Sequence, residues 1–297
     1  MIEHTGGFTM QDSKLRIGQV EILGLSDATV EYPWTLDQLF PAVSSAEWEP
    51  YRRRFADTFA SETVWRSDYT CYLIRSDGHM LLVDTGMGPA DSALAAALGQ
   101  SGHLLEKLAE VGVSPADIDT VVLTHLHPDH VGWNLSPNGT DFRPTFPGAR
   151  YVVHRADWDA FQRPEVRAHL PFDYVDQTVT PLERLGVLDL VGDEYQLTAN
   201  LTTLHTPGHT PGHMSVLVAS GGERGVLLGD VAIHPAQISE PDWNAMFDMD
   251  GETARQTRIA MLDRIEASGM VVGARHFPEP GFGRVIRLEG RRYWQGL

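Results

Sequence analysis

Four ligand-type side chains fall within six positions at His125-Leu126-His127-Pro128-Asp129-His130. Imidazole nitrogens and carboxylate oxygens are the donors that divalent ions of the zinc type accept. His125 and His127 alternate and can face one way, while Asp129 and His130 open a second direction. Buried without partners, such a cluster is costly, and a divalent metal satisfies its members together. Three more ligand-type residues follow, each at a strand end or in a glycine turn. They are His209 in Thr206-Pro207-Gly208-His209-Thr210-Pro211-Gly212-His213, Asp230 in Gly229-Asp230, and His276 beyond an apolar run. Pooled, the set has five histidines and two aspartates. A four- or five-coordinate ion cannot use seven donors, whereas two ions can if one carboxylate bridges. The mixture suits zinc, and also manganese, iron or cobalt. Two divalent ions bring four positive charges, of which Asp129, Asp230 and a bridging hydroxide would remove three. A centre left cationic makes hydroxide near neutral pH and polarises a carbonyl or phosphoryl oxygen.

Such side chains need strands whose ends converge. Residues 121–124 are short, mostly apolar and β-branched, which reads as a buried strand feeding the His125–His130 loop. Alternation around Val20 and Ile22 predicts a strand over residues 17–25, with Gly24 at its end or in a bulge. A hairpin is expected from residues 69–75 to 80–83 around Ser76-Asp77-Gly78, and its return strand delivers Asp84-Thr85-Gly86. Helices are expected over residues 92–98 and 104–111, and one starts at Ser114-Pro115. Further strands are read at 150–154, 195–204, 214–219, 225–228 and 270–274, with helices at 156–161 and 253–265. Residues 162–181 read as irregular. Alternating strands and helices predict an α/β layered fold. Residues 33–66 break the pattern with many aromatics, and form an insertion that covers the site or packs as core. With no repeat or linker, residues 1–297 are read as one domain.

Bulk properties exclude other classes. A hydrophobic content of 42% supports a full core. The single cysteine, Cys71, excludes an intrachain disulfide and a cysteine-rich zinc site. A net charge of -17 repels nucleic acid, and the short basic runs Arg52-Arg53-Arg54 and Arg291-Arg292 do not offset it. No run approaches the roughly 18 apolar residues of a membrane span. The polar N-terminal residues 1–14 carry no secretory pattern, so a cytoplasmic location is expected. The expected partner is a small, neutral substrate; a homodimer is compatible with the composition.

His125-Leu126-His127-Pro128-Asp129-His130 followed by His209, Asp230 and His276 resembles the metallo-β-lactamase superfamily in its two-metal hydrolase form. The resemblance implies a four-layered αβ/βα sandwich. It implies that His125, His127 and His209 hold one metal, that Asp129, His130 and His276 hold the other, and that Asp230 bridges. Zinc is the expected metal. Asp84 matches an aspartate that orients the ligands without binding the ions. The subgroup that looks most similar contains N-acyl homoserine lactonases and methyl parathion hydrolase, which implies a neutral ester-like substrate, a lactone first. Resemblance to lactonases suggests Asp129 as the residue passing a proton to the leaving group. Phosphotriester hydrolysis and hydrolytic aryl dehalogenation are the alternatives, followed by an iron oxidoreductase on this fold and a metal-bearing binding protein. The chain departs from lactonases at Ile233, where they place a tyrosine three residues after the bridging aspartate. His234 is the expected substitute. Trp133, Trp243 and Phe247, with Met246, are the other candidates to face substrate.

Overall fold

Side chains alternate along a strand, so one central strand serves two apolar layers. The computed structural model describes residues 13–139, 141–170 and 172–297. In chain order the first strands are β1 (Lys14–Ile17), β2 (Val20–Thr35), β3 (Val64–Ser76), β4 (His79–Val83) and β5 (Thr120–Val122). Then come β6 (Leu135–Asn138), β7 (Asp141–Pro144), β8 (Arg150–His154), β9 (Leu188–Val191), β10 (Glu194–Thr198) and β11 (Leu201–His205). The last are β12 (Met214–Ser220), β13 (Glu223–Leu227), β14 (Val271–Gly273), β15 (Phe282–Leu288) and β16 (Arg291–Gly296). One seven-stranded sheet has the order β1-β2-β3-β4-β5-β8-β9, and a second runs β10 to β16 in sequence. β6 and β7 form a separate small hairpin.

The helices are α1 (Leu36–Leu39), α2 (Glu49–Arg54), α3 (Ala93–Leu98), α4 (Leu104–Glu110), α5 (Arg155–Phe161), α6 (Pro164–Arg167), α7 (Val175–Thr178), α8 (Thr180–Arg184) and α9 (Gly251–Ser268). Cys71 and Leu73 of β3, Val121 of β5 and Tyr151 of β8 face Leu104, Leu108, Phe161 and Leu182 of the helical layer. Their neighbours Tyr72, Ile74, Val122 and Val152 point the other way, into the layer shared with Val216 and Leu227 of the second sheet. Met261, Leu262 and Ile265 of α9 cover that sheet's outer face against Val226 and Val272. The result is the expected αβ/βα order of four layers. None of the described helices is long and apolar enough to cross a membrane.

Several local expectations change. β2 does not stop near Gly24 but runs to Thr35. Gly24 is required because a Cβ there would lie 2.9 Å from the Pro280 carbonyl oxygen. The bulge falls at Ser26/Ala28 and turns Asp27 inward, where its carboxylate accepts the Met87 and Leu104 N–H groups at 2.7 and 2.9 Å. The aromatic insertion is therefore partly sheet: its ends belong to β2 and β3, and only its middle forms α1, α2 and a short turn at Ala56–Thr58. Residues 162–181 contain α6, α7 and the start of the short α8 instead of being irregular throughout. The run at 195–204 splits into the hairpin β10–β11. β1, β6, β7, β9, β15 and β16 were not expected; β15 and β16 close one edge of their sheet, where Arg287 and Arg291 are exposed. The expected turn at Asp77-Gly78 is present, with φ of 55° and 81°. The N-terminal stretch read for a secretory pattern lies, through residue 12, outside the described residues.

Candidate metal centre

The ligand loops leave the strands at one edge of the sandwich. β5 ends at Val122, and Asp84, at the end of β4, then takes over the chain. Its carboxylate accepts the Thr124 N–H at 2.8 Å and the Thr124 hydroxyl at 2.9 Å, and lies 2.9 Å from His130 Nδ1. Asp84 thus fixes both the start of the loop and the direction of the His130 ring. Thr85 N–H donates to the His130 carbonyl at 2.8 Å.

All seven expected ligands meet. His125 Nε2, His127 Nδ1 and His209 Nε2 form one group, with His127 Nδ1 3.0 Å from each of the other two. Asp129, His130 and His276 form another, with Asp129 Oδ2 3.3 Å from His130 Nε2 and 3.5 Å from His276 Nε2. Asp230 lies between them. Its Oδ2 is 3.3 Å from both His209 Nε2 and His276 Nε2, and its Oδ1 is 3.6 Å from His130 Nε2. Ligand bonds of 2.0–2.1 Å in a tetrahedron put donor atoms about 3.3 Å apart, so these separations fit metal ligation. The donor set also needs a metal: His130 Nε2 and Asp230 Oδ1 are buried and have no hydrogen-bond partner.

Protonation favours binding at His125 and His127, whereas, against its burial, the Asp129, Asp84 and Asp230 carboxylates raise His130 above the ordinary range. Burial, with His130 next, holds His125 well below the ordinary imidazole range; burial, then His209, brings His127 down to about 3. Both rings therefore keep free lone pairs at neutral pH. Burial alone would raise the Asp129 carboxyl, but His130, Arg275 and His276 outweigh it and hold it below the usual range. His276 and His130 do the same for Asp230 against its burial.

Residues 65–268 match the metallo-beta-lactamase superfamily. The chain belongs to that superfamily. An N-acyl homoserine lactonase from a Bacillus species is 30% identical over 171 residues, which cover 53% of this chain and 61% of that protein. The N-acyl homoserine lactonase AiiB of Agrobacterium fabrum is 45% identical over 75 residues, 21% of this chain and 27% of that protein. The chain thus spans less than two thirds of the length of these curated relatives. Among solved structures, the hydrolase AbOPH superposes with a TM-score of 0.80 at 24% identity, over 96% of both chains. AidC, described as a dizinc quorum-quenching lactonase, superposes with a TM-score of 0.77 at 23% identity, again over 96% of both. At these identities the likeness shows the metallo-beta-lactamase fold.

Further side chains brace the candidate ligands, most of them outside any motif of the sequence. Asp248 Oδ1 lies 2.8 Å from His209 Nδ1, and Asp248 Oδ2 accepts from Arg258 Nη2 at 3.3 Å and Ala245 N–H at 3.0 Å. Against its burial, the Asp248 hydrogen bond and the Asp230 and Asp248 charges together raise His209 above its ordinary range. Asp157 of α5 joins two ligand loops, accepting Leu126 N–H at 3.2 Å, Gly212 N–H at 2.5 Å and the Thr210 hydroxyl at 2.9 Å. His213 Nε2 accepts the Asp230 N–H at 2.8 Å, and Gly229 permits this because a Cβ would come within 2.5 Å of that nitrogen. The Ser67 hydroxyl lies 3.1 Å from His276 Nδ1. Arg275, fully buried, donates to the Asp129 carbonyl and lies 3.7 Å from its Oδ2. A charged residue inside the apolar run Val271-Val272-Gly273-Ala274 before His276 was the one available signal. Asp157 and Asp248 sit in no motif.

The expected substrate residues separate. Phe247 precedes Asp248 and packs 6.0 Å from the Tyr32 ring and 6.2 Å from Trp34. Trp133 is partly buried against the helical layer beside the His130 loop. His234 corrects the expectation of a pocket residue. It is fully buried, its Nδ1 accepts from Ala236 N–H, and its Nε2 is 3.1 Å from the Thr58 hydroxyl. Both nitrogens are used inside an aromatic cage that includes Trp48 and Phe59. Trp243 is also displaced: it packs on Trp48 at 4.7 Å and lines a separate cleft of about 550 Å³ with Tyr51, Arg54 and Arg291. Ile233 is buried at 3% exposure and offers no hydroxyl. Tyr32 and Tyr69 do: their hydroxyls are 2.7 Å apart, and the Tyr69 ring packs edge-on against His276 at 4.8 Å. Burial, then the Asp129 and Asp230 carboxylates, push the Tyr32 phenol up.

Proposed function

We propose that the protein is a two-metal hydrolase of a neutral ester-like substrate, a lactone first, with zinc as its metal. The observation that carries this reading is Asp230, whose two oxygens face the two histidine groups within one buried cluster. Zinc and a small-molecule lactone are supported by AidC, described as dizinc and bound to a homoserine product, and by the lactonase relatives. When bound, the ions would supply a hydroxide nucleophile near neutral pH and a Lewis acid for the scissile carbonyl.

The chain's own residues supply the rest. His125, His127 and His209 would hold one ion, Asp129, His130 and His276 the other, with Asp230 shared. Asp129 Oδ2 is the proton carrier in this reading, handing a proton to the leaving alkoxide; at 15% side-chain exposure it is more open than His130 and His276. The Tyr32–Tyr69 pair has two O–H groups and one mutual hydrogen bond, and among the described residues neither hydroxyl makes another. One proton is left to donate to the carbonyl oxygen as negative charge develops there. Tyr32, Trp34 and Phe247 form an aromatic wall suited to an apolar substituent.

A second reading, phosphotriester hydrolysis, is favoured by Ile233, which removes the lactonase hydroxyl and leaves an aromatic surface fit for an aryl leaving group. The test is metal content together with initial rates on an acyl homoserine lactone, an aryl phosphotriester and an aryl halide. Two equivalents of zinc with fastest turnover of the lactone is the expected result. A faster phosphotriester supports the second reading, and a single equivalent at full activity refutes the two-metal mechanism.

A further inference from the structure

A third cluster of donors stands apart from the metal centre, where the two sheets meet at their edges. His154 ends β8 of the first sheet and His205 ends β11 of the second. Asp193 lies in the connection between β9 and β10, the strand pair across which the chain passes from one sheet to the other. Asp193 Oδ1 is 3.4 Å from His154 Nε2 and 3.6 Å from His205 Nδ1. The two rings stack 4.2 Å apart at 9°, so one of them must turn out of the stack for both in-plane lone pairs to reach one ion. His154 Nε2 is buried and has no hydrogen-bond partner. We propose that His154, Asp193 and His205 form a further divalent-cation site, suited to zinc, nickel or copper, that clips the two sheets together.

The separations carry the argument. Tetrahedral ligands at 2.0–2.1 Å stand about 3.3 Å apart, close to the distances at Asp193. They are too long for good hydrogen bonds, so the three groups converge without satisfying one another. The surroundings orient two of them. His205 Nε2 is 2.8 Å from the Pro211 carbonyl, which places its proton on Nε2 and turns the Nδ1 lone pair toward Asp193. The Asp193 carbonyl accepts the His205 N–H at 2.7 Å, which pins the acid's backbone. Two imidazoles and a carboxylate, open to water on the Asp193 side, suit a borderline ion better than calcium or magnesium.

His154 sets the affinity. Its Nδ1 accepts the Ala156 N–H at 3.1 Å, so in the metal-free chain its proton lies on Nε2. Ligation through Nε2 moves that proton to Nδ1 and gives up the Ala156 bond. The site is therefore weaker than the catalytic pair and empties first under a chelator. Its position links it to the centre all the same. Pro211 belongs to the loop that carries His209, and α5, which begins after His154, carries Asp157 with its bonds to both ligand loops. The clip would steady those loops without touching substrate.

The experiment uses the full chain, stripped of metal and dialysed against chelator-buffered zinc, with bound zinc counted by mass spectrometry and the unfolding temperature read alongside. Wild type should bind a third equivalent more weakly than the rest, and filling it should raise the unfolding temperature. Asp193 is 85% exposed, so Asp193→Ala should fold normally. The variant should lose at least tenfold in affinity for the third equivalent and keep the tighter ones, while Asp193→His, with a replacement donor, should recover it. No third equivalent at micromolar zinc overturns the proposal. So does a third equivalent that Asp193→Ala binds as well as wild type.

Discussion

Replacing Asp248 with asparagine tests how one ion is held. The side chain is 2% exposed and has two different tasks. Oδ1 faces the His209 ring N–H, and Oδ2 faces the Ala245 N–H and the Arg258 guanidinium. Asparagine fills the same volume but presents one oxygen and one amide. Either orientation sets a donor against a donor, at His209 or at Ala245 and Arg258. One charge-assisted bond is lost, worth about 1.5–3 kcal/mol, and Arg258, 1% exposed, loses its countercharge. Carbonyls of Val231, Pro241 and Trp243 still accept from Arg258 and limit the damage below that of a stranded buried charge. The metal-free variant should lose roughly 2–3 kcal/mol in urea unfolding. Its affinity for one ion should fall roughly 10- to 100-fold, because removing a histidine's carboxylate partner weakens ligation by that much. Chelator competition resolves the two catalytic equivalents, and only the one held by His125, His127 and His209 should weaken. Equal weakening of both, or of neither, would refute the assignment of Asp248 to the His209 ion.

Four further outcomes are expected. Asp129→Asn should lower kcat at least 100-fold, the scale of a lost proton carrier, and undiminished hydrolysis at full metal content would remove Asp129 from that role. Tyr32→Phe should lower kcat on the order of tenfold with little change in KM if its hydroxyl stabilises developing charge; a change in KM alone would make it a binding contact. Chelation should lower the unfolding temperature, since zinc at ~1,000 times its Kd adds about 4 kcal/mol, and an unchanged temperature would contradict a buried metal centre. Burial brings His234 down to about 3, so below the unfolded value of 6.5 the unfolded chain binds a proton that the folded chain refuses. Stability from this group is therefore complete above pH 6.5 and falls by up to about 1.4 kcal/mol per unit on acidification. In urea titrations between pH 6.5 and 4.5, His234→Asn, which can still cap Ala236, should flatten that slope; parallel slopes would refute it.

The meeting of the candidate ligands was legible because their residue types cluster locally. His125, His127, Asp129 and His130 sit on one loop, and the later three each follow an apolar run or sit in a glycine turn. The layers were legible because Tyr72 and Leu73, or Val121 and Val122, alternate between two apolar surroundings. What could not be read depends on distant chain. Asp248 is 39 residues from the histidine it braces, Asp157 is 31 from Leu126, and Arg275 is 146 from Asp129. Nothing in the types or spacing of such pairs says that they meet. His234 and Trp243 misled for a related reason. His234 suggested the pocket by its nearness to Asp230 and Trp243 by its aromatic character, but both pack on Trp48 in the aromatic layer of the insertion.

The two buried arginines show how the chain keeps two carboxylates charged in a dry cluster. Arg258 and Arg275 are each 1% exposed, and each lies against a carboxylate tied to one histidine group: Asp248 behind His209, and Asp129 beside His276. A carboxylate that carries full charge into a dry site is costly by itself. A guanidinium beside it offsets that cost in the metal-free chain, and unlike an imidazole it cannot give up its proton. Among the described residues Asp230 has no such arginine ion pair; it lies between the two groups, where imidazoles face it. Asp248 and Asp129 are thus charged and placed before metal arrives, while Asp230 is the carboxylate most dependent on the ions. In the two-metal reading proposed above, the braced groups would form each half and the Asp230 oxygens would join them.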